Sequence, residues 1–350
     1  MTDMMKIAPI IGVKQVEIRE VEKPIPKRGE VLVKVKACAI CTWEQRLYLG
    51  VSKIPLPFVG GHEASGVIEA LGEGVDDTEY QIGQKVALRL LDTCGKCYYC
   101  RQGRENLCVE IGKPNRFEKK AIPGPGGLGE YLVVSEKQVF KLPEDIPYSH
   151  GAFAEPLACV VNSIEKARIE LGNDVVVVGA GIMGLLHTIL SKKQGARVIV
   201  SEVDARRRRV AEELGADITF NPLEVNPIEK VKDLTEGRGA DVVFHTTAIP
   251  EVAQQAVQMA GRLGRVIMYG SFHPDVPISI SPNWIHNSEV EIKGAVSPSI
   301  ENFQKSVRLL SHKTVNPAAL VSEEYPLTEI EKAFQQAVKP DTFRIIVTNQ

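Results

Sequence analysis

From about residue 172 the chain alternates short apolar runs with helical stretches, and this rhythm is its strongest constraint on a fold. Val175–Val178, Arg197–Ser201, Asp241–Phe244 and Arg265–Met268 are apolar and rich in β-branched residues, and helical patterns follow Gly184 and occupy Arg206–Leu214. Such runs separated by helices predict a parallel sheet covered on both faces. The N-terminal part is patterned differently. Residues 31–37, 64–71 and 84–90 alternate or run apolar between glycines and prolines, which predicts short antiparallel strands. The C-terminal part adds a predicted helix near Glu301–Leu310 and a strand-like run, Phe343–Val347. At 350 residues the chain exceeds what one core usually holds, so about two domains are expected.

Inside the alternating region, Val175-Val-Val-Val-Gly179-Ala-Gly181-Ile182-Met183-Gly184 runs a strand into G-x-G-x-x-G and then a helix. Glycines there permit a tight turn and close approach of backbone to a pyrophosphate, whose charge a helix N-terminus attracts. Gly179, Gly181, Ile182, Met183 and Gly184 are therefore dinucleotide-binding candidates. Glu202 ends the next strand, where a carboxylate would accept both ribose hydroxyls of an adenosine, and this favours NAD over NADP. The competing signal is Arg206-Arg-Arg-Arg209, which could hold a 2′-phosphate. It also reads as a solvated first helical turn, and a carboxylate at Glu202 would repel that phosphate.

Four of the seven cysteines lie in Cys94-Gly-Lys-Cys97-Tyr-Tyr-Cys100-Arg-Gln-Gly-Arg-Glu-Asn-Leu-Cys108, spaced C-x2-C-x2-C-x7-C. Four thiolates so close suit a closed tetrahedral zinc site. Iron–sulfur ligation usually follows other spacings, such as C-x2-C-x2-C-x3-C-P, and no proline follows Cys108. Disulfides are disfavoured because the chain opens Met1-Thr-Asp-Met-Met-Lys6, without a signal-peptide core, so a cytoplasmic, reducing setting is expected. Val175–Ser191 is free of Asp, Glu, Lys and Arg but contains three glycines and a histidine, so it reads as buried strand and helix, not a membrane span. A net charge of -2 with interspersed acids and bases gives no electrostatic footprint for nucleic acid.

A second metal candidate joins Cys41, just after an apolar strand, to Gly60-Gly61-His62-Glu63. Thiolate, imidazole and carboxylate can make a zinc site with one position open for water or substrate. Taken alone, a single Cys and a His-Glu pair also serve packing or hydrogen bonding.

Together these residues resemble the zinc-containing medium-chain alcohol dehydrogenase family, in its polyol, sorbitol and threonine dehydrogenase branch. The matching elements run in the family's order: Ala39-Ile-Cys41, Gly61-His62-Glu63-Ala-Ser-Gly66-Val, Gly72-Glu-Gly74-Val75, the four-cysteine loop, Gly129-Glu-Tyr131, Gly179 to Gly184 and Gly239-Ala-Asp241-Val. The resemblance implies an α/β protein with a GroES-like, β-rich catalytic domain over residues 1–155 and a doubly wound Rossmann domain over 156–294. Residues 295–350 would return to the catalytic domain. It implies two zincs per subunit: a catalytic one held by Cys41, His62 and the carboxylate of Glu63 or Glu155, and a structural one held by Cys94, Cys97, Cys100 and Cys108. Glu155 opens Glu155-Pro-Leu, which looks like that branch's signature, although it also reads as a helix N-terminal acid before a first-turn Pro156. Arg207 matches a base near the adenosine ribose, and a homodimer or homotetramer is implied. Cys38 and Cys159 match no ligand position and read as small buried residues.

The chain departs from that pattern beside Cys41. The family usually reads Gly, Ser or Thr, Asp, an apolar residue and His, whereas this chain reads Thr42-Trp43-Glu44-Gln45-Arg46. Trp43 stands where a hydroxyl normally touches the reacting alcohol, and an indole nitrogen has no acceptor pair with which to relay a proton. After the third strand of the cofactor domain, Glu-Cys-Thr-Gly appears as His245-Thr246-Thr247-Ala248, keeping the threonine at Thr247 as a cofactor contact; His245 reads as a core or surface histidine. The expected function is zinc-dependent hydride transfer between NAD and a secondary alcohol, or its ketone, of a polyol, sugar derivative or similar metabolite. Trp43 and Arg46 motivate two alternatives: a specialised zinc reductase or transient-oxidation enzyme that recycles its own NAD, and a catalytically inactive nucleotide-binding scaffold.

Overall fold

The computed structural model describes residues 3–111, 113 and 123–349. The chain divides into two compact units, Met1–Ala158 with Pro298–Gln350, and Cys159–Ser297.

In the unit Cys159–Ser297, six strands form one parallel sheet in the order Ile218–Phe220, Arg197–Ser201, Asp174–Val178, Ala240–His245, Ala260–Met268 and Glu291–Gly294. The four runs read from the sequence fall in four of these strands, and Ile218–Phe220 and Glu291–Gly294 add the two edges. Val176, Ile199, Val243 and Val266 lose all solvent exposure, as a sheet covered on both faces requires. Strand order grows outward in both directions from Asp174–Val178 and Ala240–His245, so the topological switch lies between them. Their ends are level, because Val178 pairs with His245 on one side and Ser201 on the other. Gly179, Glu202 and Thr246 consequently follow three adjacent strand ends, and Glu202 lies one residue past its strand instead of ending it.

The other unit is built on a seven-stranded sheet. Its path is Val321–Pro326, Arg344–Thr348, Glu30–Ala39, Glu63–Leu71, Lys85–Arg89 and Val139–Lys141, with Tyr131–Ser135 also pairing Glu30–Ala39. Most pairings are antiparallel as predicted, but Val321–Pro326 runs parallel to Arg344–Thr348. The long central strand is shared. Tyr131–Ser135 pairs its first half and Arg344–Thr348 its last three residues, which places Ala39 between Ile346 and Glu63. Val31, Val33, Val35, Ile68, Leu88 and Ile345 are buried in one core with Phe334 of the helix Ile330–Ala337. Tyr48 stacks on Phe334, with centroids 4.9 Å apart, and so ties the helix Thr42–Tyr48 to the same core.

Cys38 is buried as expected, at 1% exposure. Cys159 is only half-buried, because its place on the helix Ala154–Ala167 does not turn it fully into a core.

Candidate metal and dinucleotide sites

Cys41 leaves the central strand through Ile40, whose N–H donates to the carbonyl of Ile345 at 3.0 Å, and it caps the N-terminus of Thr42–Tyr48. Its own backbone N–H donates to Glu44 Oε2 at 3.2 Å, closing the first helical turn. Glu44 Oε1 accepts from the Gly61 N–H at 2.9 Å and stands 2.8 Å from His62 Nδ1. A carboxylate can only accept, so Nδ1 carries the proton and Nε2 is left as the ring's ligand atom. Glu44 has no solvent exposure. Burial pushes its carboxyl up, but His62 and the Gly61 N–H outweigh burial and hold it below its ordinary value.

The strand register brings Glu63 beside these groups. Ligand atoms of Cys41, His62 and Glu63 all lie within 4.8 Å of one another. Glu63 is also one half of a buried ion pair: Arg344 Nε donates to its Oε2 at 2.9 Å and Nη2 to its Oε1 at 2.5 Å, with side chains 3% and 1% exposed. Burial pushes the Glu63 carboxyl upward, and the guanidinium opposes that push. Glu155, at the start of Ala154–Ala167, exerts its charge on Glu63 and Arg344 but lies outside the three-residue cluster.

Trp43 flanks the cluster. Its ring stands edge-on to His62, with centroids 6.0 Å apart at 75°, and edge-on to Phe58, at 5.5 Å and 69°.

The four-cysteine loop is separate. All four Sγ atoms lie within 4.8 Å of one another, with Cys94 and Cys100 sulfurs 4.0 Å apart. A tetrahedron with zinc–sulfur arms of about 2.3 Å has edges of about 3.8 Å, so the cage fits zinc. The N–H groups of Cys94 and Cys97 donate to the sulfurs of Cys108 and Cys94, each at 3.3 Å. Backbone N–H groups of Cys100 and Val109 draw the Cys97 thiol down to about 6, toward the thiolate that metals bind.

In the other unit each glycine of the turn has a distinct steric reason. Gly179 has φ +99°, a conformation side chains rarely adopt, and a Cβ on Gly184 would stand 1.9 Å from the Gly179 carbonyl oxygen. Gly181 differs: a Cβ there would meet nothing closer than Arg207 Nη1, at 3.8 Å. That opening, at the N-cap of Ile182–Lys193, fits a pyrophosphate approaching the backbone. Ile182 and Met183 supply that helix's first two residues. Glu202 is 8% exposed, and its carboxylate accepts from the N–H groups of Ala180 at 2.6 Å and Asp204 at 2.9 Å. Arg208 spends Nη1 on the carbonyls of Glu202 and Val203, and Arg206 pairs with Asp204. Thr247 shares a 2.9 Å hydrogen bond with His245 Nε2, and His245 is buried, so it is a core histidine.

Glu44 and Arg344 escaped the reading of the sequence. A signal for Glu44 existed in its place three residues after Cys41, the spacing of a helix N-terminal capping box. Arg344 carries no such local signal.

No helix among the described residues is long and apolar enough to cross a membrane. Residues 27–144 match the family profile described as "Alcohol dehydrogenase GroES-like domain", and residues 183–312 match "Zinc-binding dehydrogenase". A 2-dehydro-3-deoxy-L-galactonate 5-dehydrogenase of Pseudoalteromonas atlantica is 31% identical over 94% of each chain. A sorbitol dehydrogenase of Halalkalibacterium halodurans is 31% identical over 96% of each. Among solved structures, a zinc-binding dehydrogenase of Sinorhizobium meliloti bound to NADP superposes with a TM-score of 0.90 at 28% identity, covering 99% of this chain and 100% of that one.

Proposed function

Because the chain belongs to the zinc-containing medium-chain alcohol dehydrogenase family, we propose that it is a zinc- and NAD-dependent dehydrogenase of a secondary alcohol in a polyol, sugar derivative or similar hydroxylated metabolite. The observation that carries this reading is the convergence of Cys41, His62 and Glu63, with Glu44 fixing the imidazole tautomer. In this reading residues 1–158 with 298–350 form the catalytic unit and residues 159–297 the NAD-binding one.

Cys41 and His62 would hold the catalytic zinc, with Glu63 or Glu155 as the carboxylate, and Cys94, Cys97, Cys100 and Cys108 would hold the structural one. Zinc bound at Cys41 supplies Lewis acidity, which lowers the pKa of an alcohol toward neutrality, and NAD supplies the hydride acceptor. Glu44 keeps the His62 proton on Nδ1, and Arg344 neutralises Glu63 without itself being able to lose a proton. The guanidinium engages both oxygens of Glu63 but leaves each a further lone pair, so either Glu63 or Glu155 could supply the carboxylate.

Glu202 supports NAD over NADP. Its carboxylate is held rigidly by two backbone N–H groups and would repel a 2′-phosphate, while Arg206 and Arg208 are already engaged nearby. The test is metal analysis with cofactor reduction. Two zincs per chain and NAD reduction with at least one of a panel of polyols, sugar acids and amino alcohols are expected, with NADP markedly poorer. One zinc per chain and no turnover would point to the scaffold, and product without net NADH would point to internal recycling.

A further inference from the structure

Trp43 is the side chain at the candidate catalytic site whose chemistry the proposed reaction does not use. It occupies the first turn of Thr42–Tyr48, two residues past Cys41, and its ring borders the imidazole of His62 edge-on. The indole therefore borders one of the side chains that would hold the metal. Phe58 makes a second T-shaped contact with the ring, at 5.5 Å. Even so, 36% of Trp43 stays exposed, and its Nε1–H donates to none of the described residues. A partly open indole can present its ring surface to C–H bonds and its N–H to an oxygen. Trp43 cannot move a proton, because Nε1 has no lone pair to accept one.

We propose that Trp43 is a specificity-determining residue that selects a polyhydroxylated substrate, stacking its C–H face and donating Nε1–H to one of its oxygens; this rests on the dehydrogenase reading above. A polyol or cyclitol offers both features at once. An apolar alcohol offers the C–H surface but leaves the donor unmatched. A hydroxyl residue at this position would neither stack nor hold the substrate's orientation.

The chain has two tryptophans, which gives a readout independent of turnover. Trp284 belongs to the other unit, and its buried Nε1 makes no hydrogen bond among the described residues, so Trp284→Phe removes its emission without breaking one of those. In the zinc-loaded Trp284→Phe protein, titration with sorbitol, threitol or myo-inositol should shift or quench Trp43 emission saturably, and cyclohexanol should do so weakly. For the polyol turned over, Trp43→Ser should raise KM about tenfold with kcat changed far less, as loss of about 1.4 kcal/mol of binding predicts. Trp43→Phe keeps a ring and loses the donor, so its KM should fall between the two; it also serves if Trp43→Ser folds poorly. Emission unmoved by every polyol, or a KM unchanged in both variants, would overturn the proposal. A response to cyclohexanol alone would overturn the substrate class. A response to polyols without NAD reduction would keep Trp43 as a recognition residue and overturn the dehydrogenase reading instead.

Discussion

Arg344 and Glu63 meet as a two-pronged ion pair with almost no solvent exposure, although 281 residues separate them in the chain. Removing one partner leaves the other charge stranded in the interior, and such losses cost about 3–5 kcal/mol. Arg344→Met should therefore lower unfolding free energy in urea by that order. Glu63→Gln with Arg344→Met, which removes both charges, should recover part of the loss. A single variant as stable as the parent would show that the pair is not holding the strands together.

Glu44 makes the second prediction. Its carboxylate fixes His62 and the Cys41 turn together, accepting from both backbone segments. Residues that orient a metal-ligating imidazole typically change metal affinity by about 10–100-fold. Glu44→Gln should release zinc from the Cys41 site to a chelator at correspondingly lower concentration, with the four-cysteine zinc retained. Equal retention of both zincs would show that Glu44 serves only to cap the helix.

The contrast between these residues and the cysteines explains what could be read from the chain. The four-cysteine loop and the Gly179–Gly184 turn were legible because their parts lie within fifteen and six residues, where spacing alone implies geometry. The runs at Val175, Arg197 and Asp241 identified a parallel sheet, since buried β-branched runs suit little else. Sheet order was not legible, as it depends on contacts between strands distant in sequence. Arg344 illustrates this: its role exists only because Arg344–Thr348 lies beside Glu30–Ala39, which in turn lies beside Glu63. Cys159 was read as buried from its type, but its exposure is set by which side of a helix it occupies.

The two cysteine sets should behave differently when mutated. Cys97→Ser removes one arm of a closed cage in an otherwise loop-rich segment, so it should lose one zinc per chain and lower the midpoint of thermal unfolding. Cys41→Ser should also lose one zinc, but with activity abolished and the midpoint changed little. If the two variants lost stability alike, the division into structural and catalytic metals would be wrong.

Acid sensitivity of the unit Cys159–Ser297 should trace in part to His187, which shares with His245 a pKa pushed down to about 4 by burial. This imidazole has no solvent exposure; Nδ1 donates to the Met183 carbonyl at 2.7 Å, and Nε2 stands 2.8 Å from Ser163 Oγ. Phe244 and Tyr269 flank the ring at 4.5 and 4.8 Å. Both nitrogens are satisfied in the neutral form, and burial pushes the pKa from 6.5 down to about 4. The unfolded chain takes up the proton first, so the stabilising contribution is complete above pH 6.5 and is lost as pH falls toward 4. A difference of that size corresponds to about 3 kcal/mol. His187→Gln can keep a donor and an acceptor but cannot titrate. Denaturant unfolding from pH 7 to 4 should show a shallower loss in the variant than in the parent, and parallel curves would mean that His187 does not set the acid limit.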